Sequence, residues 1–483
     1  MPVLLHRLIE NAANNSRRPA FAGIGTPLDY GGFLRLVRSI AGRMHAKGVL
    51  AGDRIVLCAP NSVELAASYF AIHWVGAIAS PVDPGLSDSA LAGIVGATSA
   101  KLLVSHRQSA GVAAVTPGQL AADPSPAQFD PLCGEDDVAD ILFTTGTTGE
   151  RKGVVLTHSR IAQAALNIAT FIGNDADSVE MVPLPLSHSF GLGRLRSMAF
   201  VGNTLVLERG MANAGGLLKR MNTIGVTGFA CVPTGWNIIM RLAGDQFNAL
   251  GRSLKYVEIG SMPMAPNVRQ WLMEALPQAR LCHHYGLTEA SRAAFTEYHA
   301  DAHKSNTIGK AAPNVQITVR DERGVEAPPG IPGELVIQGG MVLREYWQRP
   351  DLSHKSLTEW GFKSGDAGWR DRDGYLYLQG RKDDLINVGG KKVSPDEVEE
   401  ALRKFAGVED AACIGVADPE GISGQVVKAF LVTSENFAAE RLREHLRNHL
   451  EEYQLPQVLE RVREIPRTES GKVQRHTLRG DAS

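Results

Sequence analysis

The sequence predicts an α/β protein. It has a large, multi-lobed N-terminal domain with mainly parallel sheets and a small antiparallel lobe, followed by a small α+β C-terminal domain. Three observations carry this expectation. Short runs rich in β-branched residues alternate with helical patterns over the first three hundred residues, which is the signature of βα units. Near residue 313 the texture changes to strands joined by tight turns. At 483 residues the chain exceeds one ordinary domain.

The elements follow in order. MPVLLHRLIENAANNS is an amphipathic helix pattern carrying Glu10, not a signal peptide. Arg54-Ile55-Val56-Leu57 reads as a strand. The uncharged run Leu65 to Val82 approaches spanning length, but His73, Gly76 and Pro81 interrupt it. It reads as a core helix, Val63 to Trp74, leading into a buried strand. Ala100 to Ser105 is a strand, and Pro and Ser between 117 and 131 suggest a loop. Ile141-Leu142-Phe143 and Gly153-Val154-Val155-Leu156 are strands, with a helix from about Ser159 to Phe171. Further strands fall at Thr204–Leu207, Gly228–Cys231 and Lys255–Ile259. Val315–Arg320, Gly333–Gln338 and Tyr375–Leu378 look antiparallel, with an Asp373-Gly374 turn. Gly380-Arg381-Lys382-Asp383-Asp384 breaks the pattern, and a domain boundary is expected there, giving 1–380 and 381–483. In the tail, Ser394, Pro395 and Glu397 have the spacing of a capping box. Strands at 410–416 and 426–432 and a helix from Ala438 to Glu451 complete it.

Composition narrows the function. The apolar fraction is 44%, the charged fraction 21% and the net charge −2, a globular balance that argues against bulk nucleic-acid binding. Cys58, Cys133, Cys231, Cys282 and Cys413 form no C-x-x-C pair. That opposes a disulfide framework or a zinc site and fits a reducing, cytoplasmic setting.

Six stretches carry chemistry. FTTGTTGERKG (Phe143–Gly153) offers Thr144, Thr145, Gly146, Thr147, Thr148, Gly149 and Lys152: hydroxyls, permissive backbone and a mobile cation suited to a phosphate chain. It fails the G-x-x-x-x-G-K-[ST] template, because Arg151 and Gly153 stand at its last Gly and its Ser/Thr, and it joins strand to strand. A flexible surface loop is the other reading. In HHYGLTEAS (His283–Ser291), Tyr285 suits a base, Thr288 a phosphate and Glu289 a Mg²⁺ ion; a polar turn is the alternative. In GFKSGDAGW (Gly361–Trp369), Asp366 suits a ribose diol, or caps its own turn. Gly380–Glu399 offers Arg381 to a nucleotide and Gly389-Gly390 to a chain-like ligand, or is a linker and turn. PRTESGKVQR (Pro466–Arg475) presents Lys472, which alone reads as a solvated charge. PLPLSHSFGLG (Pro183–Gly193) places His188 beside a pocket or in the core.

The six together, in this order, resemble the adenylate-forming superfamily, which includes acyl-CoA synthetases, firefly luciferase and peptide-synthetase adenylation domains. The resemblance runs from about Asp53 to Arg475 and is nearest to acyl-CoA synthetases. It implies ATP-dependent conversion of a carboxylic acid to acyl-AMP with release of pyrophosphate, then transfer to CoA, with ATP, Mg²⁺ and CoA as cosubstrates. The opening loop matches a phosphate loop usually written Ser-Gly-Thr-Thr-Gly-x-Pro-Lys, with Thr145 for Ser and Arg151 for Pro. By the same resemblance Gly260, Ser261 and Met262 lie on the adenine side with Tyr285 and Gly286. Thr288 contacts the α-phosphate and Glu289 binds the metal. Asp366 and Arg381 hold the ribose, and Asp383 is the hinge of a mobile small domain. Gly389-Gly390 admits pantetheine, and Lys472 bridges carboxylate and α-phosphate. His188 counts among the catalytic candidates. Ser189 stands where peptide synthetases carry an Asp for the substrate amine, which disfavours amino acids. Gly286 stands where acetyl-CoA synthetases place a shortening Trp, which suggests an open floor and a medium-chain, longer, aryl or branched acid. Trp236, Ile259, His283 and His284 are expected in the pocket wall. The alternatives are an enzyme that loads an acyl carrier protein, or a degenerate nucleotide-binding relative supported only by the two loop changes.

Overall fold

The computed structural model describes residues 1–23, 27–109, 111–122, 127, 129–145, 151–244, 247, 251–389, 391–418, 424–434, 437, 439–467 and 471–480. The chain folds as two compact units. The first takes Met1–Thr144, Lys152–Gln316 and Ile337–Phe362, and the second is built chiefly from Ile317–Val336 and Lys363–Ser483. In this division part of the antiparallel region beyond Gln316 goes with the tail, and the expected boundary near 380 falls inside the second unit.

The first unit contains two large sheets. In one, Tyr256–Ile259 lies between Gly228–Cys231 and Arg280–Leu287, all parallel, with Val179–Val182 and Thr204–Leu207 continuing the sheet. Antiparallel strands close both edges: Ala290–Glu297 and Lys310–Ala311 on one side, Leu28–Asp29 on the other. The other sheet is centred on Arg54–Cys58, Ile78–Pro81 and Val138–Thr145. The central strands are buried along their whole length, which is why they read in sequence as continuous apolar runs rather than alternating ones. Met181, Val206, Phe229, Trp236 and Val257 form one apolar core.

The Val63–Trp74 helix starts where expected, because the Ser62 side chain accepts from Leu65 N at 3.1 Å. Every residue from Leu65 to Trp74 is buried, so its all-round apolar surface belongs to an interior helix. It leads into the buried strand Ile78–Pro81. Among the described residues no helix is long and apolar enough to cross a membrane. One expected loop is corrected: Pro117–Ala121 is a short helix. Thr116 Oγ1 accepts from Gln119 N and Gln119 Oε1 from Thr116 N, a capping box that outweighs the loop-like composition.

In the second unit Ile317–Val336 and Lys363–Arg381 contribute strands to an antiparallel sheet. Val408–Ala417, Gln425–Thr433 and Val458–Arg461 form another, packed on Pro395–Arg403 and Ala439–Arg447 over a core that includes Val398, Leu402, Val427 and Leu446. The second helix ends four residues before the expected Glu451. Ser394 caps the first by accepting from Glu397 N at 3.4 Å, while Glu397 Oε2 accepts from Gln454 instead of closing the box.

Candidate active site

Ligands of open α/β sheets bind beyond the carboxyl ends of the strands, and the first unit brings the predicted residues together there. Ile259 pairs with His283 across the parallel ladder, so Gly260 comes level with His284. The His284 ring lies against Gly260 so closely that a Cβ there would sit 2.0 Å from the ring. Ser261 follows at φ 77°, a left-handed conformation that a serine adopts only under surrounding constraint. His283 fixes the next residue: its Nε2 lies 3.1 Å from Met262 O, and its Nδ1 lies 2.8 Å from the Tyr298 hydroxyl. Burial, then the neighbouring His284, pushes His283 down to about 3. It is a neutral positioning group with both ring nitrogens engaged.

Tyr285, Gly286, Thr288 and Glu289 form the tip of the hairpin made by Arg280–Leu287 and Ala290–Glu297. Glu289 is held at both ends. Its carbonyl accepts from Leu343 N at 2.7 Å, and Oε1 accepts from the Tyr346 hydroxyl at 3.0 Å. Gly286 does not open a floor. A Cβ there would meet Arg292 N at 2.6 Å and Ala290 O at 2.9 Å, so backbone fills the space and the glycine serves close packing. This removes the geometric reason for expecting a long acid.

His188 precedes the Ser189–Val201 helix; its ring is 46% exposed and 3.6 Å from Asp83. Behind it lies a buried ionic cluster absent from the sequence reading. Arg194 makes a bidentate pair with Glu180 and reaches Glu258 at 3.2 Å. Arg292 donates to Glu258 at 3.1 Å and to the carbonyls of Ser189 and Phe190, each at 2.9 Å. His284 Nδ1 lies 2.9 Å from Glu258. Burial works against the Glu258 carboxylate, but Arg292, Arg194 and His284 outweigh it and hold its pKa well below the usual range. Trp236 and Ile259 are fully enclosed, Trp236 between Phe229 and Phe247. They belong to the core rather than to an open wall, because their elements turn their apolar faces inward.

Val138–Thr145 and Arg151–Thr157 are neighbouring strands, so the Thr-Gly stretch joins strand to strand. Thr144 and Lys152 are half-buried at its two ends. The Thr145 side chain, Gly146, Thr147, Thr148 and Gly149 lie outside the described residues, as does Gly390.

The second unit holds the rest. Asp366 is not in a turn but on the strand Gly361–Arg370, in register with Arg381. Arg381 Nη1 donates to Asp366 Oδ1 at 3.0 Å and to Ser364 O at 2.9 Å. Gly365, at φ 73°, leaves the room this needs: a Cβ would lie 2.9 Å from the guanidinium. Asp383 is exposed on a single helical turn, whereas Asp384 points inward to Arg475 at 3.7 Å and Arg479 at 3.2 Å. Gly389 sits at φ 58° beyond the strand Ile386–Val388. Lys472 is exposed, and its neighbours are anchored. Arg467 donates to Gly471 O at 2.8 Å, and Arg475 reaches Asp396 at 2.5 Å, Glu399 at 2.6 Å and Cys413 O at 3.2 Å. The sequence reading missed Arg475, whose signal was an Arg three residues after the loop lysine.

No group of three His, Cys, Asp or Glu is poised to hold a metal ion among the described residues. A lone, positioned Glu289 fits Mg²⁺ that arrives with a nucleotide, since that ion takes most of its ligands from phosphate and water.

Residues 8–347 match the AMP-binding enzyme family, and residues 397–472 match the AMP-binding enzyme C-terminal domain. The chain belongs to the AMP-binding enzymes. A feruloyl-CoA synthase of an Amycolatopsis species is 30% identical over 94% of each chain. A long-chain-fatty-acid–CoA ligase of Mycobacterium tuberculosis is 30% identical over 92% of this chain and 91% of its own. Among solved structures, ATP-bound MatB from Rhodopseudomonas palustris superposes with a TM-score of 0.90 at 25% identity, covering 100% of this chain and 99% of that one. MenE from Bacillus subtilis, in complex with ATP and magnesium ion, has the same fold, with a TM-score of 0.89 at 23% identity over 99% of each chain. This AMP-binding enzyme is an acid–CoA ligase of the AMP-forming type: it activates a carboxylic acid with ATP and transfers the acyl group to CoA.

Proposed function

We propose that the residues assembled above divide the two half-reactions as follows. The carboxylate oxygen of the acid attacks the α-phosphorus of ATP, the bond to pyrophosphate breaks, and acyl-AMP forms. Two anions must approach, and Lys472 supplies the positive charge that offsets their repulsion in the transition state. Thr288 contacts the α-phosphate. Mg²⁺, held at Glu289, neutralises phosphate charge when bound. Gly260–Met262 and Tyr285 take the adenine, Asp366 and Arg381 the ribose, and Thr144–Gly149 with Lys152 the departing phosphates. The thiol of CoA then attacks the acyl carbon and AMP leaves. In this reading the boundary is at residue 380, Asp383 is the pivot, and Gly389-Gly390 admits the pantetheine arm.

The observation that supports the reading best is the mounting of Lys472: an exposed amine on a loop whose flanks are fixed by Arg467 and Arg475. Such a mounting suits a group that delivers charge to a ligand. The acids named for the relatives range from feruloyl to long-chain fatty acids and do not select one for this chain. ATP–pyrophosphate exchange across a panel of acids tests the first half-reaction. CoA-dependent AMP release tests the second, and acylation of a carrier protein in place of CoA would instead make it a carrier-loading enzyme. Absence of exchange with every acid refutes the assignment.

A further inference from the structure

The cluster around Glu258 packs against Gly260 and the first carbonyls of the Ser189 helix. His284 lies on Gly260, its ring is 4.7 Å from that of Phe190, and its side chain is 7% exposed. Arg292, 1% exposed, spans from Glu258 to the first carbonyls of the Ser189 helix, with its guanidinium carbon 5.0 Å from the centre of the Phe190 ring. Arg194 and Glu180 fill the next layer, and Tyr256 donates to Glu180 at 2.7 Å. Two guanidiniums face two carboxylates, so the cluster is balanced and leaves no net charge to attract a second anionic group.

We infer that this cluster is the closed end of the acid pocket and restricts the enzyme to short acids, His284 being the side chain that sets the limit. The inference rests on the assignment of His188, Ser189, His283 and His284 to the acid site. A long or aromatic tail would have to push His284 off Gly260 or Arg292 off Glu258. Either motion strips a partner from a buried carboxylate, which low-dielectric surroundings make expensive. The Phe190 ring beside them gives only limited apolar contact, because the groups displaced first are ionic.

The test is steady-state turnover with ATP, Mg²⁺ and CoA on acetate, butyrate, hexanoate, octanoate, palmitate and ferulate. It is run on the wild type, His284→Gly and His284→Phe. The short acids are expected to lead, with kcat/KM on octanoate and ferulate lower by roughly 100-fold or more, a ratio within reach of steric exclusion. His284→Gly is expected to raise the octanoate-to-butyrate ratio at least ~10-fold, while His284→Phe, which keeps the ring volume, preserves the short-acid preference. A general loss of structure would lower all acids together and leave that ratio unmoved. Wild-type turnover of palmitate or ferulate at the butyrate rate overturns the inference while leaving acid activation intact. So does an unchanged ratio in His284→Gly. Silence with every acid overturns the activation reading, and this inference with it.

Discussion

In the first unit the charged groups behind the Gly260 strand end are turned inward. Glu258, Glu180, Arg194 and Arg292 are at most 1% exposed, and each is paired with another. In the second unit the buried charges lie beneath, and the lysine proposed to act in adenylation stands outside. Arg475 and Asp384 are mostly covered, while Lys472, three residues from Arg475, is exposed. The difference separates two uses of charge. Buried and balanced, it fixes geometry. Exposed at the surface, it is only partly desolvated.

The comparison can be broken most directly at Glu258. Glu258→Gln leaves Arg194 and Arg292 without their shared counter-charge. We expect unfolding free energy to fall by about 3–5 kcal/mol, seen as a lower denaturant midpoint; a change within error would show that the cluster is not structural. Lys472→Ala is the contrasting case: a stability loss of at most about 1 kcal/mol, as for an exposed charge, but adenylation slower by roughly 10²–10³-fold, with thioester formation from supplied acyl-AMP largely spared. Equal loss in both half-reactions would deny Lys472 its assigned role.

A pH titration sharpens the contrast. His158 is 2% exposed, and burial, followed by the His73 charge, pushes it down to about 3. Unfolded, it titrates near ~6.5. The unfolded chain therefore binds the extra proton, and the His158 contribution is complete above ~6.5. As pH falls from there toward 3 it is lost, at about 1.4 kcal/mol per pH unit. His158→Leu should flatten that slope, and an unchanged slope would place the titration elsewhere. The smallest effect belongs to the Ser394 cap, where Ser394→Ala should cost about 1 kcal/mol, measurable by hydrogen exchange in the Pro395–Arg403 helix.

Much of the fold was legible from the sequence. Thr204–Leu207 and Gly228–Cys231 were placed to the residue, because strands buried on both faces show as unbroken apolar runs between polar turns. Val63–Trp74 was read correctly from the uncharged run and its interruption at Gly76 and Pro81. Pro117–Ala121 was not, since a five-residue helix lacks periodicity and only its Thr116–Gln119 box marks it. The candidate site was legible where one short stretch carries it, as at His283–Glu289. It was not where partners are remote in the chain. Glu258 meets Arg194 and Arg292 across 64 and 34 residues, and nothing local distinguishes those arginines from solvated ones. Gly286 was read differently for another reason: its own hairpin folds the backbone of Ala290 and Arg292 over it.

Gly193 extends this point. A Cβ at residue 193 would sit 2.4 Å from the Arg292 guanidinium. The two positions are therefore sterically coupled: a side chain at 193 and the present course of Arg292 exclude one another, and removing the Arg292 side chain would free that space while releasing the Ser189 and Phe190 carbonyls it holds.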